Sequence, residues 1–370
     1  MVFLDNYSHI REMIEKEMEL YLSNKIHNNN KPILDEFYQL IRDHVFSGGK
    51  RLRPLCMVMG YRGYVDDYKI IGPSISPELV HSSSLILDDA MDEDVMRHGK
   101  PTFNAIYADK FLDSLGFNFN KYSLGRYWIE RDALKDLFYV QRAVSRYSYA
   151  LSVLGSNVMY SMSMEVLGKS EFDNAKIVRA LDLQRKMYQT LNEGQLMDIL
   201  YESMHSNEEE YLAMIHRKTG ILFTYPIRIG LVFAGREDER IMDGYANAIS
   251  TAFQIRDDIL GTFGSESLTG KSAFSDIVDG KRTLLVIKAM ENASDNDRKF
   301  LEKILGYVHA SKEDINAVRG IFKDTGAYEY CQSLAKRYIE ESKSFIPDDM
   351  SGESREFFSS LADFIVNRER

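Results

Sequence analysis

Two clusters of aspartates stand about 170 residues apart in this 370-residue chain: Asp88-Asp89-Ala-Met-Asp92-Glu-Asp94 and Gln254-Ile-Arg-Asp257-Asp258-Ile-Leu-Gly261. Each follows an apolar run, and neither is preceded by the Gly, Pro and Asn residues of a loop. On a helix, Asp88 and Asp92 are i,i+4 neighbours whose carboxylates point the same way, which costs roughly a few tenths of a kcal/mol on a bare helix. At the end of an apolar stretch the cost is higher unless a cation sits between them. Oxygen-only ligands suit a hard, octahedral ion, and Mg2+ comes first. Two carboxylate sets holding Mg2+ suggest a substrate rich in phosphate. Taken singly, the first cluster also reads as a solvated acidic helix end, and Asp257-Asp258 as a local cap or salt bridge. An EF-hand fails, because the loop needs a Gly at position 6 and a Glu at position 12.

Cations recur beside small residues. Lys50, Arg51 and Arg53 follow Gly48-Gly49 and open a helix; glycines let a ligand approach the backbone, and a helix N-terminus favours negative charge. A solvated basic turn is the plainer reading, and a Walker loop is excluded by the spacing. Lys218-Thr219-Gly220, Gly270-Lys271 and Lys281-Arg282 are further basic spots. His81 lies two turns before Asp88 on the same helical face, and Gln254 sits one turn before Asp258. Together these groups make one coherent site, with a diphosphate at its mouth and an apolar chain inside.

Those residues need long helices to position them. Seven prolines leave the stretches 102–225 and 227–346 free of proline, and both are rich in Leu, Met, Ala, Glu and Lys. This composition predicts an all-α chain. The apolar fraction of 44% is ample for a core. Helices are predicted near 5–28, 33–46, 55–63, 78–92, 147–168, 174–204, 207–217, 219–234, 238–261, 283–292, 297–308, 312–323, 326–344 and 353–368. Segments 97–102 and 262–282 read as loops. No repeat or low-complexity linker divides the chain, so one domain spanning residues 1–370 is expected.

The net charge of −10 argues against general nucleic-acid binding. Cys56 and Cys331 form neither a metal motif nor a disulfide framework, which fits a reducing cytoplasm. Charges throughout residues 1–19 do not read as a secretory signal. The least charged stretches, 147–164 and 220–235, read as buried helix rather than membrane spans.

The ordered motifs resemble those of the trans-isoprenyl diphosphate synthases over nearly the whole chain. They are Gly-Gly-Lys-Arg-Leu-Arg-Pro (48–54), His81, Asp-Asp-x-x-Asp (88–92), Arg-His-Gly-Lys-Pro-Thr (97–102), Gly-Gln-Leu-Met-Asp (194–198), Lys-Thr-Gly (218–220), Phe-Gln-Ile-Arg-Asp-Asp (253–258) and Gly-Lys…Asp276…Gly-Lys-Arg-Thr (270–283). The resemblance implies a bundle of long antiparallel helices around a deep apolar cavity. It implies that Asp88, Asp92 and Asp257 hold three Mg2+ on an allylic diphosphate, supported by Asp89 and Asp258. Arg97, Lys218, Thr219, Gln254, Lys271 and Lys281 would bind that diphosphate. Lys50, Arg51, Arg53 and His81 would bind the diphosphate of isopentenyl diphosphate. A homodimer is implied in the same way.

Several positions depart from the family's pattern. His98 stands where Arg is usual, which makes one isopentenyl diphosphate contact weaker or pH-dependent. Leu87 replaces a frequent His, Ser156-Asn157 replaces a Gly-Asp, and Gly261 replaces a third Asp, as in archaeal-type geranylgeranyl diphosphate synthases. Residues 109–146, dense in aromatic and charged side chains, read as an insertion: an extra helix, a dimer-facing element or a lid. Ser83 and Ser84, five and four residues before Asp88, are expected beside the tail's path and leave it open beyond fifteen carbons. A linear C20 product, geranylgeranyl diphosphate, is therefore expected. A terpene cyclase of the same fold and a non-catalytic partner subunit are the competing readings. The cyclase would lack the Lys50–Arg53 and His81 set, and the partner subunit would have lost Asp88, Asp92 or Lys218.

Overall fold

The computed structural model describes residues 2–27, 31–114, 138–204, 206–264, 275–307 and 309–366. Among them the chain is α-helical apart from one two-stranded hairpin, Met96–Arg97 with Lys100–Pro101. No described helix is long and apolar enough to cross a membrane. Most long helices fall near their expected positions, but the structure adds helices Ile71–Ser74, Phe103–Ser114 and Ser275–Val278 that were not expected from the sequence, the last inside an expected loop. The hairpin replaces another expected loop, and a π-turn at His216–Gly220 joins two helices expected to be separate.

The chain forms two compact units that interleave along the sequence. One comprises Met1–Ile10, Leu52–Ile70 and Glu171–Arg370; the other comprises Arg11–Arg51 and Ile71–Ser170.

In the second of these, the helix Ser76–Met91 lies along the helix Phe138–Gly168. Small residues permit the close approach. Ser76, Ser82 and Ser83 on one helix, and Ser148, Ser152 and Ser156 on the other, are all buried. Three of these hydroxyls are accommodated by bonding back onto their own helices: Ser83 Oγ donates to the Val80 carbonyl at 2.7 Å, Ser148 Oγ to the Ser145 carbonyl at 3.2 Å and Ser152 Oγ to the Ser148 carbonyl at 3.0 Å. Helix Phe103–Ser114 packs on the same long helix, with Phe103 seated against Gly155, where a methyl group would meet its ring carbons at 2.9 Å. Of the segment 109–146, residues 109–114 and 138–146 belong to these helices, and 115–137 lie outside the described residues.

The other unit is organised around the helices Leu52–Arg62 and Ile221–Ala234, which are buried almost throughout. Two glycines let their backbones touch. A Cβ at Gly60 would stand 3.1 Å from the Ile227 carbonyl oxygen, and one at Gly230 3.0 Å from the Tyr61 nitrogen. Gly235 ends the second helix in the left-handed conformation, φ +85°, which only glycine adopts without strain. Helix Asp243–Phe263 packs on Ala327–Lys343. The buried Tyr245 hydroxyl donates to the Phe358 carbonyl at 2.7 Å.

Candidate active site

The first aspartate cluster terminates its helix. Asp92 is the C-terminal capping residue, its N–H donating to the Asp88 carbonyl at 2.8 Å. Asp88 and Asp92 are partly exposed, whereas Asp89 between them is fully buried. Arg97 answers that burial. Its Nε donates to Asp89 Oδ1 at 2.6 Å, its Nη2 lies 2.5 Å from the same oxygen, and Asp88 Oδ2 and Asp94 Oδ2 follow at 3.5 and 4.0 Å. Burial nevertheless pushes the Asp89 carboxyl up to about 6, against the pull of Arg97. Burial alone would lower the Arg97 guanidinium, but Asp89, Asp88 and Asp94 hold it above its ordinary value.

Arg97 reaches Asp89 because the chain reverses tightly. Arg97 pairs with Lys100 across a two-residue turn, His98-Gly99, with φ of +50° and +73°. Two successive positive φ values match the twist of a hairpin, and His is among the few non-glycine residues that tolerate the left-handed region. The turn also places His98 beside the glycine loop: a Cβ at Gly48 would stand 3.3 Å from His98 Cδ2.

His81, Ser84 and Asp88 share the partly exposed face of their helix. Ser84 Oγ donates to the His81 carbonyl at 2.7 Å, so the side chain presents little polarity outward. Ser83 is fully buried and lies about 140° round the helix from Asp88. Of the two serines, then, only Ser84 shares the face of Asp88. Arg51 also departs from its expected place: its side chain is 3% exposed and its guanidinium is turned to Glu78, with Nη1 to Oε1 at 2.7 Å. Lys50, half-buried, precedes it.

The other basic motifs belong to the unit that comprises Met1–Ile10, Leu52–Ile70 and Glu171–Arg370. Arg53 stands in the first turn of helix Leu52–Arg62, its guanidinium 5.3 Å from the centre of the Phe223 ring. Lys218 and Thr219 occupy the π-turn, which follows the helix Glu208–Ile215. That helix starts in a reciprocal capping box between Asn207 and Glu210. A π-turn carries an extra residue per turn and often marks a functional site. Lys218 Nζ donates to Asp198 Oδ2 at 2.6 Å, and Lys281 Nζ lies 3.6 Å from the same oxygen and 3.4 Å from Glu202 Oε1. Asp198 thus gathers two of the expected diphosphate-binding lysines. Its spacing from Gly194 is the signal in the sequence: the two share a helix face one turn apart, and Gly194 admits the π-turn by having no side chain.

A relay of polar groups fixes the second aspartate cluster. Thr219 Oγ1 donates to Gln254 Oε1 at 2.7 Å; Gln254 Nε2 donates to Asp258 Oδ1 at 2.8 Å; Tyr211 donates to Asp258 Oδ2 at 2.6 Å. Asp258 is buried, and burial with the nearby Asp276 charge raises its carboxyl well above the ordinary value despite those bonds. Asp257, its neighbour, is exposed. Gly261 makes room for Asp276, whose Cγ would stand 3.0 Å from a Cβ at that position. Lys271 lies outside the described residues. Among the described residues no three His, Cys, Asp or Glu side chains are gathered as a protein-only metal cage.

The polyprenyl synthetase family model matches residues 35–124 and 140–322. A short chain isoprenyl diphosphate synthase of Methanocaldococcus jannaschii is 30% identical over 362 residues, covering 97% of this chain and 94% of that protein. A geranylfarnesyl diphosphate synthase of Aeropyrum pernix is 32% identical over 330 residues, covering 87% of this chain and 91% of that protein. The crystal structure of a geranylgeranyl pyrophosphate synthase from Corynebacterium glutamicum, complexed with isoprenyl diphosphate and magnesium, shares the fold. Its TM-score is 0.83 at 24% identity, over 97% of this chain and 98% of that one. The chain belongs to the polyprenyl synthetase family, the trans-isoprenyl diphosphate synthases, and is a prenyltransferase.

Proposed function

We propose that this prenyltransferase condenses isopentenyl diphosphate with allylic diphosphates to a linear all-trans product, geranylgeranyl diphosphate. The observation that carries the reading is the division of labour around the acidic helix end. Asp88 and Asp92 remain partly exposed, while Arg97 and the buried Asp89 neutralise one another beneath them. Such a pair fits Mg2+, which needs only one or two carboxylates when substrate phosphates complete its shell. Asp88, Asp92 and Asp257 would hold three ions, which supply charge neutralisation to a departing pyrophosphate.

The chain's own residues do the rest. Arg97, Lys218, Thr219, Gln254, Lys271 and Lys281 bind the allylic diphosphate and receive the charge that develops as its C–O bond breaks. Lys50, Arg53, His81 and His98 hold isopentenyl diphosphate so that its double bond meets the allylic carbon. The proton lost after the new C–C bond forms passes to the released pyrophosphate.

Product length follows from Ser84. It is the small residue four positions before Asp88 on the open face, its hydroxyl turned back on the helix. That leaves the tail unobstructed one turn, about 5.4 Å, beyond the diphosphate. The family names among relatives span C20 and C25 products, and the serine supports a product longer than C15. We further take residues 1–370 as one synthase domain acting in the cytoplasm as a homodimer. Its insertion includes residues 125–139, which the family model leaves unmatched.

One assay tests the reading. Protein, isopentenyl diphosphate and Mg2+ are mixed with C5, C10 or C15 primers, and the products are sized by mass spectrometry. A linear C20 diphosphate is expected. A longer chain keeps the condensation and moves the floor of the cavity deeper. No product from folded protein overturns the proposal in favour of a partner-subunit role.

A further inference from the structure

Within the basic cluster, Arg51 turns its charge inward. Its Nη1 contacts Glu78 Oε1 at 2.7 Å, its Nε lies 3.4 Å from Glu15 Oε1, and its guanidinium sits 5.6 Å from the centre of the Phe46 ring. Arg51 and Glu78 are 4% and 5% exposed, too enclosed for either to meet a substrate. The backbone at Arg51 is left-handed, φ +55°, a conformation that a non-glycine residue holds only when its surroundings impose it. Gly49 belongs to the same device. Its own φ is +111°, and a Cβ there would stand 3.1 Å from Arg51 Nη1, so the guanidinium folds back over a residue that must lack a side chain.

Glu78 lies in the first turn of helix Ser76–Met91, three residues before His81. The ion pair therefore joins the loop that carries Lys50 to the helical turn that carries His81. The geometry points to Arg51 and Glu78 as a positioning pair that sets the distance between Lys50 and His81, and through it the affinity for isopentenyl diphosphate. Neither residue touches the substrate. This inference rests on the proposal that Lys50 and His81 hold that diphosphate.

A buried ion pair can often be exchanged for apolar residues of similar volume without loss of the fold, whereas removing one partner strands the other's charge. The test is therefore the double variant Arg51→Met/Glu78→Leu in the full chain, with Lys50→Ala as reference. KM for isopentenyl diphosphate, KM for the allylic primer, kcat and the melting temperature are measured for each. The folded double variant is expected to raise KM for isopentenyl diphosphate about ten- to a hundredfold, the scale of a displaced binding group, with the allylic KM unchanged. A purely stabilising pair would move the melting temperature and neither KM, which overturns the inference. Equal rises in both KM values, the mark of general disruption, overturn it as well. Unchanged KM for isopentenyl diphosphate in Lys50→Ala removes the binding assignment itself, and with it the reason for the pair. If the double variant does not fold, Arg51→Lys carries the test. It keeps the charge but not the planar fork that spans Glu78 and Glu15, so KM for isopentenyl diphosphate must still rise, and an unchanged value overturns the inference.

Discussion

A methyl group on Gly194 would stand 2.8 Å from the Cα of Lys218 and 2.7 Å from the carbonyl carbon of Arg217. Non-bonded carbons settle near 3.5–4.0 Å, roughly an ångström farther apart. The π-turn therefore sits on helix Asn174–Ser203 only because position 194 has no side chain. Gly194→Ala must push the turn away, and Lys218 and Thr219 with it. Overpacking of this kind costs about 1–3 kcal/mol. A lower melting temperature together with a kcat reduced about a hundredfold is expected, and wild-type turnover in this variant would show that the turn's seat is irrelevant to the chemistry.

Asp198 holds the Lys218 ammonium at 2.6 Å and keeps Lys281 close. Asp198→Asn removes the charge but not the shape. The site becomes more cationic, so the allylic KM should not rise, while a less firmly held Lys218 lowers kcat about ten- to a hundredfold. The split between kcat and KM is the measurement; a raised KM with normal kcat would assign Asp198 a different part.

Asp88→Ala should abolish turnover while the far-ultraviolet circular dichroism stays helical. Chelation should do the same reversibly, with activity restored by added Mg2+. Activity retained by the alanine variant would remove Asp88 from the metal assignment.

The two serines should part company under mutation. Ser84→Phe places a ring on the partly exposed face and is expected to shorten the product to C15 with little loss of stability. Ser83→Phe forces the same ring into a fully buried position, and is expected to destabilise by about 1–3 kcal/mol or more. Product analysis beside thermal melts separates them, and an unchanged product from Ser84→Phe would put the length-setting wall elsewhere.

Asp89 gives the metal-free protein a pH signature. Its carboxyl moves from an ordinary 3.8 to about 6 through burial, so between those values the folded chain keeps a proton that the unfolded chain has released. The stabilisation from this group is fully present below about pH 4 and is lost as pH rises through 6. It amounts to about 3 kcal/mol. Urea unfolding of wild type and Asp89→Asn across pH 4–7 should show the wild type losing stability relative to the variant as pH rises. Parallel curves would place the proton on another group.

Helical period and proline spacing were enough to find most of the long helices, because these repeat their signal over many residues, although Phe103–Ser114 escaped. Short features carried no such repetition. The hairpin at 96–101 rests on a His-Gly turn in place of the usual Asn-Gly, and the π-turn at 216–220 looks like a helix break when read along the chain. Residue types identified Asp88, Asp92, Lys218 and Gln254 as chemically suited, but their partners come from other helices. The Asp198–Lys218 contact joins residues twenty apart, and Arg97 reaches Asp89 only through the reversal at His98-Gly99. Arg51 shows the limit best. A charge beside Lys50 looks like a ligand until Glu78 is found against it, and nothing in the local pattern announces a partner twenty-seven residues away.

Helix Leu52–Arg62 is sealed against Ile221–Ala234 through Gly60 and Gly230, and roughly 160 residues separate the two in sequence. At ribosomal rates of about 5–20 residues per second, the earlier helix spends on the order of ten seconds or more in the nascent chain before its partner exists. Leu55, Cys56, Met57, Val58 and Met59, all without exposure in the finished protein, are uncovered for that interval. The glycine contact that lets these two backbones touch in the mature enzyme thus gives the growing chain an interval of stickiness, in which a chaperone that grips short apolar helices would find its natural substrate.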